Sequence, residues 1–456
     1  MSRAILRGGT LDVPRRLLTD AELEADEAAL SCPNPDHANA LRSGKVPFGI
    51  PERISSLIVT DDFVRYPVAA ARVYRPRLVA KGLHVHDARP LFEAQPLAYR
   101  GSLFPFQRLA VDALLPRGCG GVVAPCGAGK TEIIAAAAGE IGLPTLVLES
   151  AKDLGREVRE RLSSRLGVPV GFIGDGVHEF ERITVAIVQA LDPEVLTEIA
   201  PRFGMVVRDE GHHAAAPTER AVLAELQARR WYWLTATAAR ADGLTPFVHH
   251  HMGPVVYEVS RDDLVAAGRS QQPRYQQVAT RFGYPYRDQK DWPKLLAALE
   301  KDEARNDLLA SVVERDCAGE LSALLLGRVA HVDHMVERLQ ARGVRAVALT
   351  GKLGKRARAA ALDAARTGAA DVVVGTQILD EGIDLPALSR VVLGWPSKSE
   401  ARLVQRIGRA LRIQEGKSEP VAIDIVDPNV GVLRNQARQR ASIFSRAFAP
   451  GRAAAA

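Results

Sequence analysis

Eight residues, Ala124-Pro-Cys-Gly-Ala-Gly-Lys-Thr131, constrain this chain more than any others. They follow the apolar run Gly121-Val-Val-Ala124 and open a helical pattern over Thr131–Ile141, so a buried strand must turn sharply into a helix. Gly127 and Gly129 let the backbone turn so that successive amides converge, and the positive end of the helix adds to them. Such a turn suits phosphate oxygens. Gly127, Ala128 and Gly129 would cradle them, Lys130 would be a point cation, and the Thr131 hydroxyl would bind a divalent metal. Ala124 stands where the general G-x-x-x-x-G-K-[ST] pattern has its first glycine.

Apolar runs and helical patterns alternate from Gly120 to Val259. Gly121–Ala124, Thr145–Glu149, Thr184–Val188 and Met205–Arg208 read as buried parallel strands, with helices over Thr131–Ile141 and Lys152–Leu166. That rhythm predicts a doubly wound α/β sheet. Asp209-Glu210 directly follows the last of these strands, at the carboxyl edge where such sheets bind ligands. Asp209 would hold magnesium through water, and Glu210 would orient and deprotonate an attacking water.

A second series follows. Leu321–Leu326, Ala346–Leu349, Asp371–Val374, Arg390–Leu393 and Val421–Ile425 are its strands, and His331–Arg342, Lys355–Thr367 and Ser399–Leu411 its helices. It carries no second phosphate loop, so it should partner the first lobe. The expected organisation is a small N-terminal accessory module over 1–95, one α/β lobe over 96–262, a linker over 263–300, a second lobe over 301–430 and a basic tail over 431–456. The polar stretch Arg269–Pro293 fits the linker.

The net charge of +6 and pI near 9.2 mildly favour a polyanionic partner. Basic residues crowd Arg65–Arg100 and the tail, where Arg434, Arg438, Arg440, Arg446 and Arg452 meet no acid. Cys32, Cys119, Cys126 and Cys317 form no C-x-x-C pair, which argues against a zinc site and a disulfide framework and for reduced thiols in a cytoplasmic setting. A signal peptide and a membrane span are not expected. His249-His250-His251 reads as packing or surface histidine, not as a metal site.

In their order along the chain these segments resemble the motifs of superfamily-2 helicases, the DEAD/DEAH-like enzymes of the ResIII/XPB-like or phage-type branch. Phe104-Pro-Phe-Gln107-Arg108 is similar to the upstream glutamine motif, Ala124–Thr131 to motif I and Leu146–Leu154 to motif Ia. Asp209-Glu-Gly-His212 resembles a DEAH motif II with Gly211 in place of alanine, and Leu234-Thr235-Ala-Thr237 resembles motif III. In the second series, Gly327-Arg328 with His331 and His334 resembles motif IV, and Val374–Thr376 through Asp380-Glu-Gly382-Ile-Asp384 motif V. Gln405-Arg406-Ile-Gly-Arg409-Ala-Leu-Arg412 resembles motif VI. The resemblance covers residues 100–430.

It implies two tandem RecA-like lobes that clasp one ATP with Mg2+. Gln107 would read the adenine, with Gly382 and Asp384 helping to hold the nucleotide. Gln405, Arg409 and Arg412 fall at i, i+4 and i+7, on one helix face, so all three can enter one cleft beside Lys130 and Glu210. His212, Thr235 and Thr237 would couple hydrolysis to movement, and Arg328 and Thr376 would touch nucleic acid, DNA ahead of RNA. The implied activity is ATP-driven strand separation or movement. Two alternatives are a duplex translocase of a restriction or phage-conflict system that does not unwind, and an ATP-gated clamp.

Overall fold

The computed structural model describes residues 3–44, 46–236, 240, 242–271, 273–376, 385–397, 403, 404, 407, 408 and 417–448. By its internal contacts the chain divides into two compact units, Met1–Val259 and Ser260–Ala456.

The first unit contains two principal sheets. Near the N-terminus lie β1 (Arg3–Arg7), β2 (Thr10–Pro14), β3 (Ser31–Pro33), β4 (Arg53–Ser55), β5 (Ile58–Val59), β6 (Phe63–Pro67) and β7 (His84–Asp87). Five of them form a sheet ordered β5-β6-β2-β1-β7, while β3 and β4 pair separately. The larger sheet takes β8 (Cys119–Val123), β9 (Thr145–Glu149), β10 (Val170–Gly174) and β11 (Val177–Glu179). It also takes β12 (Ile183–Ile187), β13 (Met205–Asp209), β14 (Arg230–Thr235) and β15 (Val255–Glu258). Its order is β11-β10-β12-β9-β13-β14-β8-β15, and every pairing except β10 with β11 is parallel. Strands β8, β9, β12 and β13 are buried throughout, which is why they read as largely apolar runs.

The N-terminal sheet is fused to the larger one by packing. Leu6 and Leu78 share one buried cluster with Leu223 and Phe247 across the joint, each contributing about 1.5–3 kcal/mol relative to exposure. Backbones also touch: the Gly9 N–H donates to Ala224 O at 3.0 Å, and a Cβ on Gly9 would lie 2.1 Å from Leu223 O. Arg229 adds bonds to Asp87 Oδ2 (3.0 Å) and Pro90 O (2.9 Å). Module and lobe therefore share one core.

The second unit holds one parallel sheet of β16 (Arg274–Ala279), β17 (Ser322–Leu325), β18 (Ala346–Leu349), β19 (Val372–Gly375), β20 (Arg390–Leu393) and β21 (Val421–Val426). Its order is β16-β21-β20-β17-β19-β18. The stretch expected as a linker thus supplies an edge strand, β16, which pairs with β21 along six residues. Its sequence, Arg-Tyr-Gln-Gln-Val-Ala, is polar because it stands at the sheet's border. The helix expected over Ser399–Leu411 lies outside the described residues.

Candidate active site

The order β9-β13-β14-β8 brings four strand ends side by side at one edge of the larger sheet. From β8 the chain runs through residues 124–129 into the helix Lys130–Ile141. Gly129 has φ +74°, which favours glycine, and a Cβ there would lie 2.5 Å from Gln107 Nε2 and push its amide aside. Ala124, in place of the usual glycine, is fully buried and donates its N–H to Thr235 O at 2.8 Å.

Gln107 is 2% exposed and spends its whole amide inside the protein. Its Nε2 donates to Ala128 O at 2.7 Å, and its Oε1 accepts from the Phe104 N–H at 2.9 Å. It braces the loop between β8 and the helix Lys130–Ile141. The family resemblance implies an adenine contact for Gln107, and nothing in the sequence signals this bracing.

Asp209 ends β13 and is buried, with one oxygen accepting the Glu210 N–H at 2.9 Å. Burial and the neighbouring Glu210 charge raise its pKa, against the pull of Lys130. Glu210 takes φ +49°, a left-handed conformation that costs a residue with a side chain about 1 kcal/mol. Its carboxylate meets Lys130 Nζ at 2.5 Å. Burial would raise its pKa, but Lys130 and His212 outweigh burial and hold it below the ordinary carboxylate range. The converse holds for Lys130: burial opposes its charge, and Glu210 and then Asp209 keep it above the usual ammonium value.

Thr235, at the end of β14, links the next segment. Its hydroxyl lies 3.1 Å from His212 Nδ1 and donates to Glu210 Oε2 at 3.4 Å, and Arg240 bonds the His212 carbonyl. A change at Glu210 can therefore be felt at β14. Among the described residues no group of three or more His, Cys, Asp or Glu is placed to hold a metal by itself. A Mg2+ ion at Asp209 and Thr131 would take the rest of its shell from phosphate and water, as this ion commonly does.

Two charged residues here escaped sequence reading. Arg208 is fully buried and reaches Glu219 Oε2 (2.8 Å), Leu148 O (3.1 Å) and Ser150 Oγ (2.6 Å), tying β13 to the loop after β9. Glu149 ends β9, is 1% exposed, and has no hydrogen-bond partner on either carboxylate oxygen among the described residues. Burial, then the charge of Asp209, raises its pKa well above the usual carboxylate value.

Two family models match the chain. One, described as the res subunit of type III restriction enzymes, covers residues 100–240, and the helicase conserved C-terminal domain covers 316–414. The DNA 3'-5' helicase XPB of Kineococcus radiotolerans is 30% identical over 329 residues, covering 68% of this chain and 57% of its own length. The DNA 3'-5' translocase XPB2 of Sulfurisphaera tokodaii is 26% identical over 373 residues, covering 74% and 84%. The chain belongs to the superfamily-2 helicases. In fold it is similar to Saccharomyces cerevisiae Dbp5 bound to RNA and ADP BeF3, with a TM-score of 0.56, 16% identity, and coverage of 77% of this chain and 89% of that one. It spans 61% and 57% of the length of two relatives that are 30% identical to it.

The remaining helicase motifs are placed as follows. Arg328 pairs with Glu300 at 3.0 Å, His331 is buried with Nε2 2.9 Å from Asn306 Oδ1, and Thr376 directly follows β19. Thr237, Gly382, Asp384, Gln405, Arg409 and Arg412 lie outside the described residues. Of the three consecutive histidines, His250 meets Ser56 Oγ at 2.8 Å across the module–lobe joint, and His251 is buried. No described helix is long and apolar enough to cross a membrane.

Proposed function

We propose that this chain is an ATP-dependent DNA helicase or translocase whose nucleotide site lies at the β8–β13 edge of the first unit. The contact between Lys130 and Glu210 carries this reading. In a site of this kind the triphosphate is the switch: its terminal phosphate draws Lys130 away, and Glu210, freed from its cation, turns to a water molecule. The amides after Gly127 and Gly129 bind phosphate oxygens, and Gln107 keeps that loop in shape. Thr131 and, through water, Asp209 would hold Mg2+, which neutralises phosphate charge as the leaving group departs. As the resemblance to the family implies, Gln405, Arg409 and Arg412 would act on the transferring phosphoryl group, and Gly382 and Asp384 on the nucleotide. His212, Thr235 and Thr237 transmit the change of phosphate state, while Arg328 and Thr376 take backbone phosphates. Such binding is poorly sequence-specific and weakens steeply with salt.

Movement along duplex DNA without unwinding is the second reading, favoured by the similarity to a relative that bears the name translocase. Displacement of a labelled strand and displacement of a triplex-forming oligonucleotide separate the outcomes. Activity in the first assay supports unwinding, activity in the second alone supports duplex translocation, and neither leaves an ATP-gated clamp. Equal or greater activity on RNA duplexes would overturn the DNA assignment.

A further inference from the structure

A glutamate at the end of a buried strand needs a reason, because valine or leucine would pack there without desolvating a charge. Strands β9 and β13 run parallel with Leu148 opposite Arg208, so the next pair in register is Glu149 and Asp209. Paired residues of parallel strands project from the same face. Arg208 leaves from the opposite face toward Glu219 and Ser150. Glu149 therefore stands beside Asp209 on the same face of the sheet, at the strand-end edge.

The neighbouring cations are already engaged. Lys130 is held by Glu210 at 2.5 Å, and Arg208 is spent on Glu219, Ser150 and two carbonyls. Both Glu149 oxygens remain without a hydrogen-bond partner among the described residues, and the side chain is closed off from solvent. A buried carboxylate so placed matches a hard divalent cation with room in its shell.

We propose that Glu149 is a second carboxylate for the divalent cation that accompanies the nucleotide, acting beside Asp209 from the adjacent strand end. The proposal rests on the nucleotide-site reading above. Outer-shell and additional ligands of this kind are typically worth about 10–100-fold in metal affinity. A merely structural Glu149 would leave metal affinity untouched.

The test is electron paramagnetic resonance titration of Mn2+ into the full chain saturated with a non-hydrolysable ATP analogue. Wild type is compared with Glu149→Gln, Glu149→Val and Asp209→Asn. Both Glu149 variants should bind Mn2+ at least about ten-fold more weakly, while affinity for the analogue in excess EDTA stays within about two-fold. Two chemically different replacements guard against failure of one to fold. Wild-type Mn2+ affinity in a folded Glu149 variant overturns the proposal. If Asp209→Asn loses Mn2+ while the Glu149 variants keep it, the nucleotide-site reading stands and this proposal falls. If Asp209→Asn also binds Mn2+ normally, the reading beneath it falls too.

Discussion

The Lys130 ammonium meets the Glu210 carboxylate at 2.5 Å across 80 residues of sequence, joining the start of one helix to the end of β13. Both side chains are less than a quarter exposed, so neither charge is well served by water. Removing one partner strands the other. Lys130→Met and Glu210→Gln should each destabilise the nucleotide-free protein, and the double variant should be less destabilised than the sum by about 1–3 kcal/mol. Urea denaturation of the four proteins measures this coupling. Strict additivity would mean that the contact contributes nothing.

The arginines of the second unit are expected to act on the transition state. Arg409→Ala should lower kcat for ATP by about 10³–10⁵ and change ATP affinity little. Steady-state turnover combined with equilibrium binding of a fluorescent nucleotide makes the distinction. Loss confined to affinity would exclude Arg409 from the transferring phosphoryl group.

Gln107→Ala removes the bond to Ala128 O and leaves the loop before Gly129 without its brace. Nucleotide affinity should fall about ten-fold, matching about 1.4 kcal/mol for the lost buried hydrogen bond. An adenine contact predicts in addition that the variant loses discrimination between ATP and GTP. Comparing both nucleotides on the variant separates bracing from base reading.

Burial holds several histidines neutral: His213 and His250 are pushed down to about 4, and His251 and His331 to about 3. The sign follows from which state binds protons. Below pH 6.5 the unfolded chain takes up protons that these folded sites refuse, so stability present above 6.5 is lost as pH falls toward 4 and then 3. Each such histidine contributes a slope of about 1.4 kcal/mol per pH unit in that window. His251→Leu should flatten the slope of the first unit by about one proton, read from urea midpoints between pH 7.5 and 5. An unchanged slope would show that His251 titrates normally.

Much of the two larger sheets can be read from the sequence because their strands are buried on both faces and appear as apolar runs. Thr145–Glu149 and Lys152–Leu166 lie where the alternation places them. The N-terminal sheet is illegible for the opposite reason: β5 has two residues and β7 reads His-Val-His-Asp, so no run rises above its surroundings. The edge strand β16 is hidden by its own polarity. At the site, the meeting of Lys130 with Glu210 beside Asp209 is foreseeable because a glycine-rich strand-to-helix turn and an acid pair at a strand end fall on one sheet edge. Glu149 and Arg208 are not, since a charge closing an apolar run reads as the point where the strand meets water. Their solvent exposure shows that both are buried, and strand register puts them on opposite faces.

ATP hydrolysis by the purified chain should be driven by nucleic acid through Glu210. Turnover measured with and without duplex and single-stranded DNA, for wild type and Glu210→Gln, tests this most directly. DNA should stimulate the wild type severalfold, and Glu210→Gln should lose at least about 10³ in turnover while still binding DNA. Turnover that ignores DNA and survives Glu210→Gln would contradict the account.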